Sequence, residues 1–469
     1  MKRHLLIGAS ALTLFAAAPA FAQSNTSTVG QTGSNGSATV SQSGSNGSST
    51  VNQGGANNTA SVTQSGNSAE SEIRQDNGTG FFGNASDDRN SATVTQNGDA
   101  YSRIRQFNDD AIATVDQTGN GNSSDILQTG DDDNASVNQN GSTLTSDITQ
   151  SGSDNVANVL QRGTNNGSVI NQVSGANSAI LTQSGEGNRS NILQNGAGAN
   201  WANVEQTGDD NQSTVTQGGL ANDVGDNANV RGVIQSGDRN TSTVTQSGGG
   251  QDAFVRQSGS DNTSTIDQGG TFGALHDATV TQSGDNGTSA VTQRGALSDA
   301  VLRQGGSFNS SSIDQGLIGS HLAEVDQAGE RNSSTIAQLG DNQTAYVEQI
   351  GSDNRSGIDQ GTLGGANQTA DVTQTGTFGQ SDILQRGSNH SATLVQGGDR
   401  NISDIDQSGS MHMASVTQDG LSNESTIIQS GNNHSATVTQ TMGGNESMIN
   451  QSGAFNSATV TQGGTASPM

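Results

Sequence analysis

Five histidines share one sequence context. His276, His321, His390, His412 and His434 each stand six residues before a glutamine, where other segments carry asparagine. His390, His412 and His434 follow one another at 22-residue intervals. If each interval is one structural rung, the three imidazoles form a column about 4.8 Å apart. Such a column could titrate near neutral pH or bind a metal ion. The asparagines at the equivalent places favour a plainer role, and we expect a hydrogen-bonding corner in which imidazole replaces amide.

Other chemistry is sparse. Asp131, Asp132 and Asp133 form a short acidic run. Calcium would suit such a run, but the G-G-x-G-x-D pattern of calcium-binding repeats is absent, so a solvated turn is expected. Asp and Glu on outer faces are expected to act as charges that keep neighbouring sheets apart. Serines are too numerous, and too plainly placed by a repeat, to argue a catalytic triad. A β-helical glycosidase would need paired carboxylates and aromatic sugar platforms, and this chain has one Trp and two Tyr. No enzyme and no cofactor is indicated.

The elements that position these residues must suit an unusual composition. Of 469 residues, 28% are hydrophobic, 3% aromatic and 65 are Gly, too few apolar groups for ordinary globular cores. Lys2 and Arg3 precede an apolar run from Leu5 to Phe15, and Ala20-Phe21-Ala22 follows. That pattern predicts a secretory signal peptide over 1–22, with no segment long and apolar enough to span a membrane. The remaining chain has no Lys, 15 Arg and 44 acidic residues, a net charge of about −29. So acidic a chain is not expected to bind nucleic acid. There is no Cys, and Pro occurs only at Pro19 and Pro468, which leaves a backbone ladder between them uninterrupted.

Periodicity decides between disorder and fold. Segments ending in [V/I/L]-x-Q recur 38 times, and 30 of the 37 spacings are eleven residues. Two positions after the Gln, 32 of the 38 have Gly, which suits a turn needing φ > 0. Two positions before the apolar anchor, Ser and Ala alternate, except that Arg231 falls in an Ala place. The unit is therefore about 22 residues: a Ser arm, a turn, an Ala arm and a turn. Every spacing longer than eleven falls between a Ser arm and the next Ala arm, including insertions at 76–90 and 218–229.

Each arm buries few apolar groups, so a single coil cannot offset its ordering entropy. Stacking supplies the rest. In-register copies let buried amides pair with their own kind. Gln407, Gln418, Gln429, Gln440, Gln451 and Gln462, with Asn401, Asn423, Asn445 and Asn456, are the expected structural ladder. The predicted fold is all-β: a flat β-solenoid of about 19 two-stranded coils over 23–464, followed by a short tail, 465–469.

The repeat resembles the curlin repeat, S-x5-Q-x-G-x-x-N-x-A-x3-Q. Gln429 to Gln440, QSGNNHSATVTQ, fits with His434 in the Asn place and Asn433 one place early. Gln451 to Gln462, QSGAFNSATVTQ, fits with Gly453, Asn456, Ala458 and Gln462 in place. The leading Ser departs: its place before Gln451 is held by Asn445, with Ser447 two residues later. The resemblance implies a secreted, extracellular fibre subunit of curli type, self-assembling into functional amyloid for biofilm and adhesion. It further implies a nucleator and an outer-membrane exporter as partners. The expected assembly ends are Ser27, Val29 and Gln31 at one face and Ala458, Val460 and Gln462 at the other. Two other readings are a monomeric surface adhesin or spacer and an ice-binding solenoid. The latter needs an unbroken outward Thr array, which Glu205, Arg256, Glu324, Asp326 and Tyr346 interrupt.

Overall fold

The computed structural model describes residues 24–76, 88–224, 232–270, 275–316, 319–361 and 365–463. The expected signal peptide and the 465–469 tail lie outside these residues. Among the described residues every regular element is a β-strand. The chain is a parallel β-solenoid of about nineteen coils, in two units, residues 1–221 and 222–469.

In the first unit the Ser arms run from Thr26–Gln31 to Gln212–Gln217 and the Ala arms from Ser37–Gln42 to Trp201–Thr207. Each arm pairs in parallel with the same arm of the next coil. Val137 is thus opposite both Val115 and Val159, and Gln139 opposite Gln117 and Gln161. The second unit repeats the scheme. Its last three Ala arms align Val416, Val438 and Val460, and its last Ser arms align Ile405, Ile427 and Ile449. Neither sheet closes into a barrel: Ser37–Gln42 and Ser457–Gln462 lead off from single partners, Thr59–Gln64 and Ser435–Gln440.

The alternation of arm residues sets what is inside. Ser, Ile or Val and Gln of a Ser arm, and Ala, Val and Gln of an Ala arm, point inward and are buried, as in Glu424–Asn432 and Ser435–Gln440. β-Branched anchors and Thr suit this pleated surface. The in-register stack puts like on like, so a slip of one residue would turn every buried amide outward.

The turns need φ > 0 at two places rather than one. The Gly two places after Gln is often one of them, as at Gly163, Gly329 and Gly431, with φ of 97°, 116° and 115°. The residue four places after Gln is the other: Asn35, Asn57, Asp154 and Asn433 have φ of 55°, 60°, 61° and 55°, a conformation Asn and Asp tolerate. Close stacking demands the Gly as well: a Cβ on Gly431 would lie 1.9 Å from the carbonyl oxygen of Gly453. One expectation needs correction: the Ala place assigned to Arg231 is filled by Val224. Asp223 pairs with Asp252 and Val233 with Val255, and Val224 is fully buried. The extra residues, 225–231, thus interrupt the arm itself rather than the preceding turn, and they lie outside the described residues, as does 77–87 of the other insertion.

Candidate functional site

The inward glutamines form two columns. On the Ala side Nε2 of Gln396, Gln418 and Gln440 donates to Oε1 of the next Gln, at 2.9, 2.9 and 2.7 Å, the last bond reaching Gln462. On the Ser side Gln385, Gln407 and Gln429 do the same toward Gln451, each at 2.9 Å. The first unit has equivalent columns, such as Gln117, Gln139, Gln161 and Gln183 toward Gln206.

The second N–H of each amide does something the repeat did not reveal. It crosses the coil to the first carbonyl of the opposite arm: Gln418 to Ile402 at 2.9 Å, Gln429 to Met413 at 3.0 Å, Gln440 to Glu424 at 3.0 Å. These glutamines therefore join like arms of successive coils and also join the two sides of the stack, an Ala-arm Gln within its own coil and a Ser-arm Gln to the Ala arm before it. Donor and acceptor stand 16 residues apart in these pairs, and the offset changes where the arm spacing does, as from Gln282 to Thr263. Both donors and the acceptor are satisfied, which makes a buried amide tolerable.

The corner asparagines work mostly through the backbone. Asn401 Nδ2 donates to Gly397 O at 2.6 Å, and its Oδ1 accepts the backbone N–H of Asn423 at 2.9 Å. Asn445 gives both its backbone N–H and its Nδ2 to Asn423 Oδ1, at 3.1 and 3.0 Å. Asn456 Nδ2 donates to Ser452 O at 2.7 Å.

His390, His412 and His434 take over this pattern. Nε2 of each donates to the carbonyl four residues earlier, Arg386, Ser408 and Ser430, at 3.1, 2.9 and 2.9 Å. Nδ1 accepts the backbone N–H of the next corner residue, His412, His434 and Asn456, at 3.3, 3.3 and 3.2 Å. The rings stack with centroids 5.0 and 4.9 Å apart. These contacts select the neutral Nε2–H tautomer. Both ring nitrogens are engaged, so neither faces a metal. Burial, the largest influence, holds His276, His390 and His412 below the ordinary imidazole range.

Asp133 departs from the expected solvated turn. Asp131 and Asp132 are exposed, but Asp133 fills a corner place and is fully buried. Its Oδ1 accepts from the backbone N and Nδ2 of Asn155 at 3.1 and 3.0 Å. Burial pushes its carboxyl up to about 6.

The two outermost coils differ from the rest in cover. Ser27 is exposed and Val29 and Gln31 are half-buried, as are Ala458, Val460 and Gln462, whereas Val51 and Val438 are fully buried. The columns also have a direction. Gln31 and Gln42 donate inward, to Gln53 and Gln64, each at 2.7 Å, which leaves their Oε1 atoms facing off the stack. Gln451 and Gln462 donate to the arm on the other side, to Ser435 O of the preceding coil and Glu446 O of their own, at 3.0 and 2.8 Å. Among the described residues their second N–H has no acceptor.

A family profile described as Curlin associated repeat matches residues 109–141, 233–270, 322–351, 329–361, 380–409, 387–420 and 413–441. No curated protein matches the chain. The matched stretches are built from the Gln-ended arms and glycine turns described above, and the chain is a curlin-repeat protein.

Proposed function

We propose that this chain is a secreted structural subunit that adds end to end to copies of itself, forming curli-like amyloid fibres of a biofilm matrix. The observation that carries this reading is the complementarity of the end faces. One face offers the Oε1 acceptors of Gln31 and Gln42; the other offers the spare N–H groups of Gln451 and Gln462. Unpaired arm edges template a further strand, and incompletely covered Val29 and Val460 favour burial by a partner. Solenoids that stay single need a covering cap. Addition is head to tail, so growth is an open, unipolar process. A nucleator that presents a first coil and an outer-membrane exporter are the partners this role requires. The chain would reach the cell surface unfolded and order coil by coil on the fibre.

The test is seeded assembly of the chain lacking residues 1–22, followed by dye fluorescence and fibre diffraction. Elongation from preformed seeds with a reflection near 4.8 Å is the expected result. A protein that stays monomeric at high concentration with seeds present would instead be a surface spacer or adhesin.

A further inference from the structure

Two features of the second unit play no part in the amide columns. The first lies at the turns that follow its Ala arms. Phe308 and Phe378 occupy the left-handed turn position, with φ of 58° and 56°. A bulky side chain is strained there. Both rings are nevertheless 58% and 50% exposed, so contacts within the chain do not offset the strain. Backbone bonds link these turns in succession through Arg331, Asp353 and Arg400, which places the rings three coils, about 14 Å, apart. Arg400 lies over the Phe378 ring, 5.9 Å from its centroid. It has no carboxylate partner among the described residues.

The second feature is a shallow groove of about 670 Å³ on the outer face of the Ser arms. Ala337, Gly357 and Leu384 form part of its floor, and Asp359, Asp382 and Asp404 line it. Gly357 keeps it open: a Cβ there would lie 2.6 Å from Asp382 Oδ1. Asp382 and Asp404 are register partners. Burial holds Asp359 and Asp404 above the usual carboxylate range, and Asp382 adds to the effect at Asp404. The nearby Arg386 is committed to Asp406, at 2.6 Å. The groove is thus acidic, partly dehydrated and apolar at its base.

We propose that this groove is the socket for the Phe308–Phe378–Arg400 edge of a second copy of the chain, so that copies also join side by side. The charges are complementary: a guanidinium without a carboxylate partner meets Asp382 and Asp404, which have no salt bridge among the described residues, and Asp359, which feels only the Arg386 already bound to Asp406. The floor accepts aromatic rings. Both features run along the stack, the edge over the turns from Phe308 to Arg400 and the carboxylates over three successive Ser arms, so an aligned copy can meet the groove at more than one point. This assignment reverses the role expected for outward carboxylates, which was to hold sheets apart, and it deepens the fibre reading on which it rests.

The experiment compares three full-length chains lacking only residues 1–22: wild type, F308N/F378N, and D359N/D382N/D404N. Asn is at ease in the left-handed position, so the first variant folds at least as well as wild type, which circular dichroism checks. At low salt, wild-type fibres are expected to pair laterally in electron micrographs, and both variants to reduce the paired fraction at least fivefold. Seeded elongation should stay within twofold. Wild-type fibres that do not pair, unchanged pairing in F308N/F378N, or increased pairing when the three aspartates are neutralised would each overturn the socket. If no fibre forms, the end-to-end reading fails separately. Sedimentation velocity of the soluble chains then decides the socket, a wild-type dimer lost in both variants supporting it and a wild-type monomer refuting it.

Discussion

A neutral imidazole offers at a coil corner what a primary amide offers: one donor for the turn carbonyl four residues earlier and one acceptor for the backbone N–H of the next corner. Protonation removes that acceptor, because Nδ1–H would then face a backbone N–H. His390 and His412 are held below 6.5 in the fold. Their stabilising contribution is present above 6.5 and is lost as pH falls through that value toward the folded pKa. H390N/H412N should therefore lose less stability than wild type between pH 7.5 and 5, by about 1–2 kcal/mol, read from urea unfolding at each pH. Asp359, Asp371 and Asp404, held high by burial, act in the opposite sense, so only the comparison with the variant isolates the imidazoles. Asp133 gives the mirror case. Its carboxyl, raised from 3.8 to about 6, favours the fold while protonated and disfavours it as pH rises through that interval. D133N should raise stability at pH 7.5 by on the order of 2 kcal/mol and leave it unchanged at pH 3.5, by thermal melts. The histidine place was legible because five examples share one offset from Gln. The burial of Asp133 was not, since a run of three aspartates reads as a solvated loop until the register of Asn155 fixes which one turns inward.

At the scale of arms and turns, coil spacing is controlled from two sides. The turns demand that Gly meet Gly, and the arms demand that Gln meet Gln. G431A drives a methyl group into the neighbouring Gly453 carbonyl, and a loss of about 3 kcal/mol is expected in equilibrium unfolding. Q418L should cost a similar ~3 kcal/mol, because it strands the Nε2–H of Gln396 and the carbonyl of Ile402 without partners. If Q418L instead matched wild type in stability, the columns would not hold the coils. By contrast, Ser146, Ser190 and Ser213 have buried hydroxyls with no partner, so S146A should change stability by less than about 0.5 kcal/mol in the same assay. Most of this level was written in the sequence: the eleven-residue beat gives the arms, and the Ser/Ala alternation gives their two sides. The crossing bond from each Gln to the opposite arm was hidden, because a repeat reports which residues recur and not which carbonyl a second N–H reaches. Val224 in an Ala place was hidden for a related reason: seven extra residues between Val224 and the rest of its arm displace the motif from the expected position.

For the molecule as a whole, the corner places are unevenly furnished. The second coil from the start has Gly47 and Asn58 there, while the second from the end has Asn423 and His434. Hydrogen exchange should find the amides of Ser48–Gln64 at least tenfold less protected than those of Glu424–Gln440, although both stand one coil in from a face. Equal protection would mean the corners add little to local stability. The amide columns have one further consequence. Among the described residues the column bonds, from Gln31 to Gln53 through Gln440 to Gln462, all run from a glutamine to the one in the following coil, so the carboxamide dipoles add instead of cancelling. Each unit is a small electret, positive toward its last coil and negative toward its first. In the end-to-end fibre proposed above, successive columns would point the same way, and the polarisation would accumulate with length.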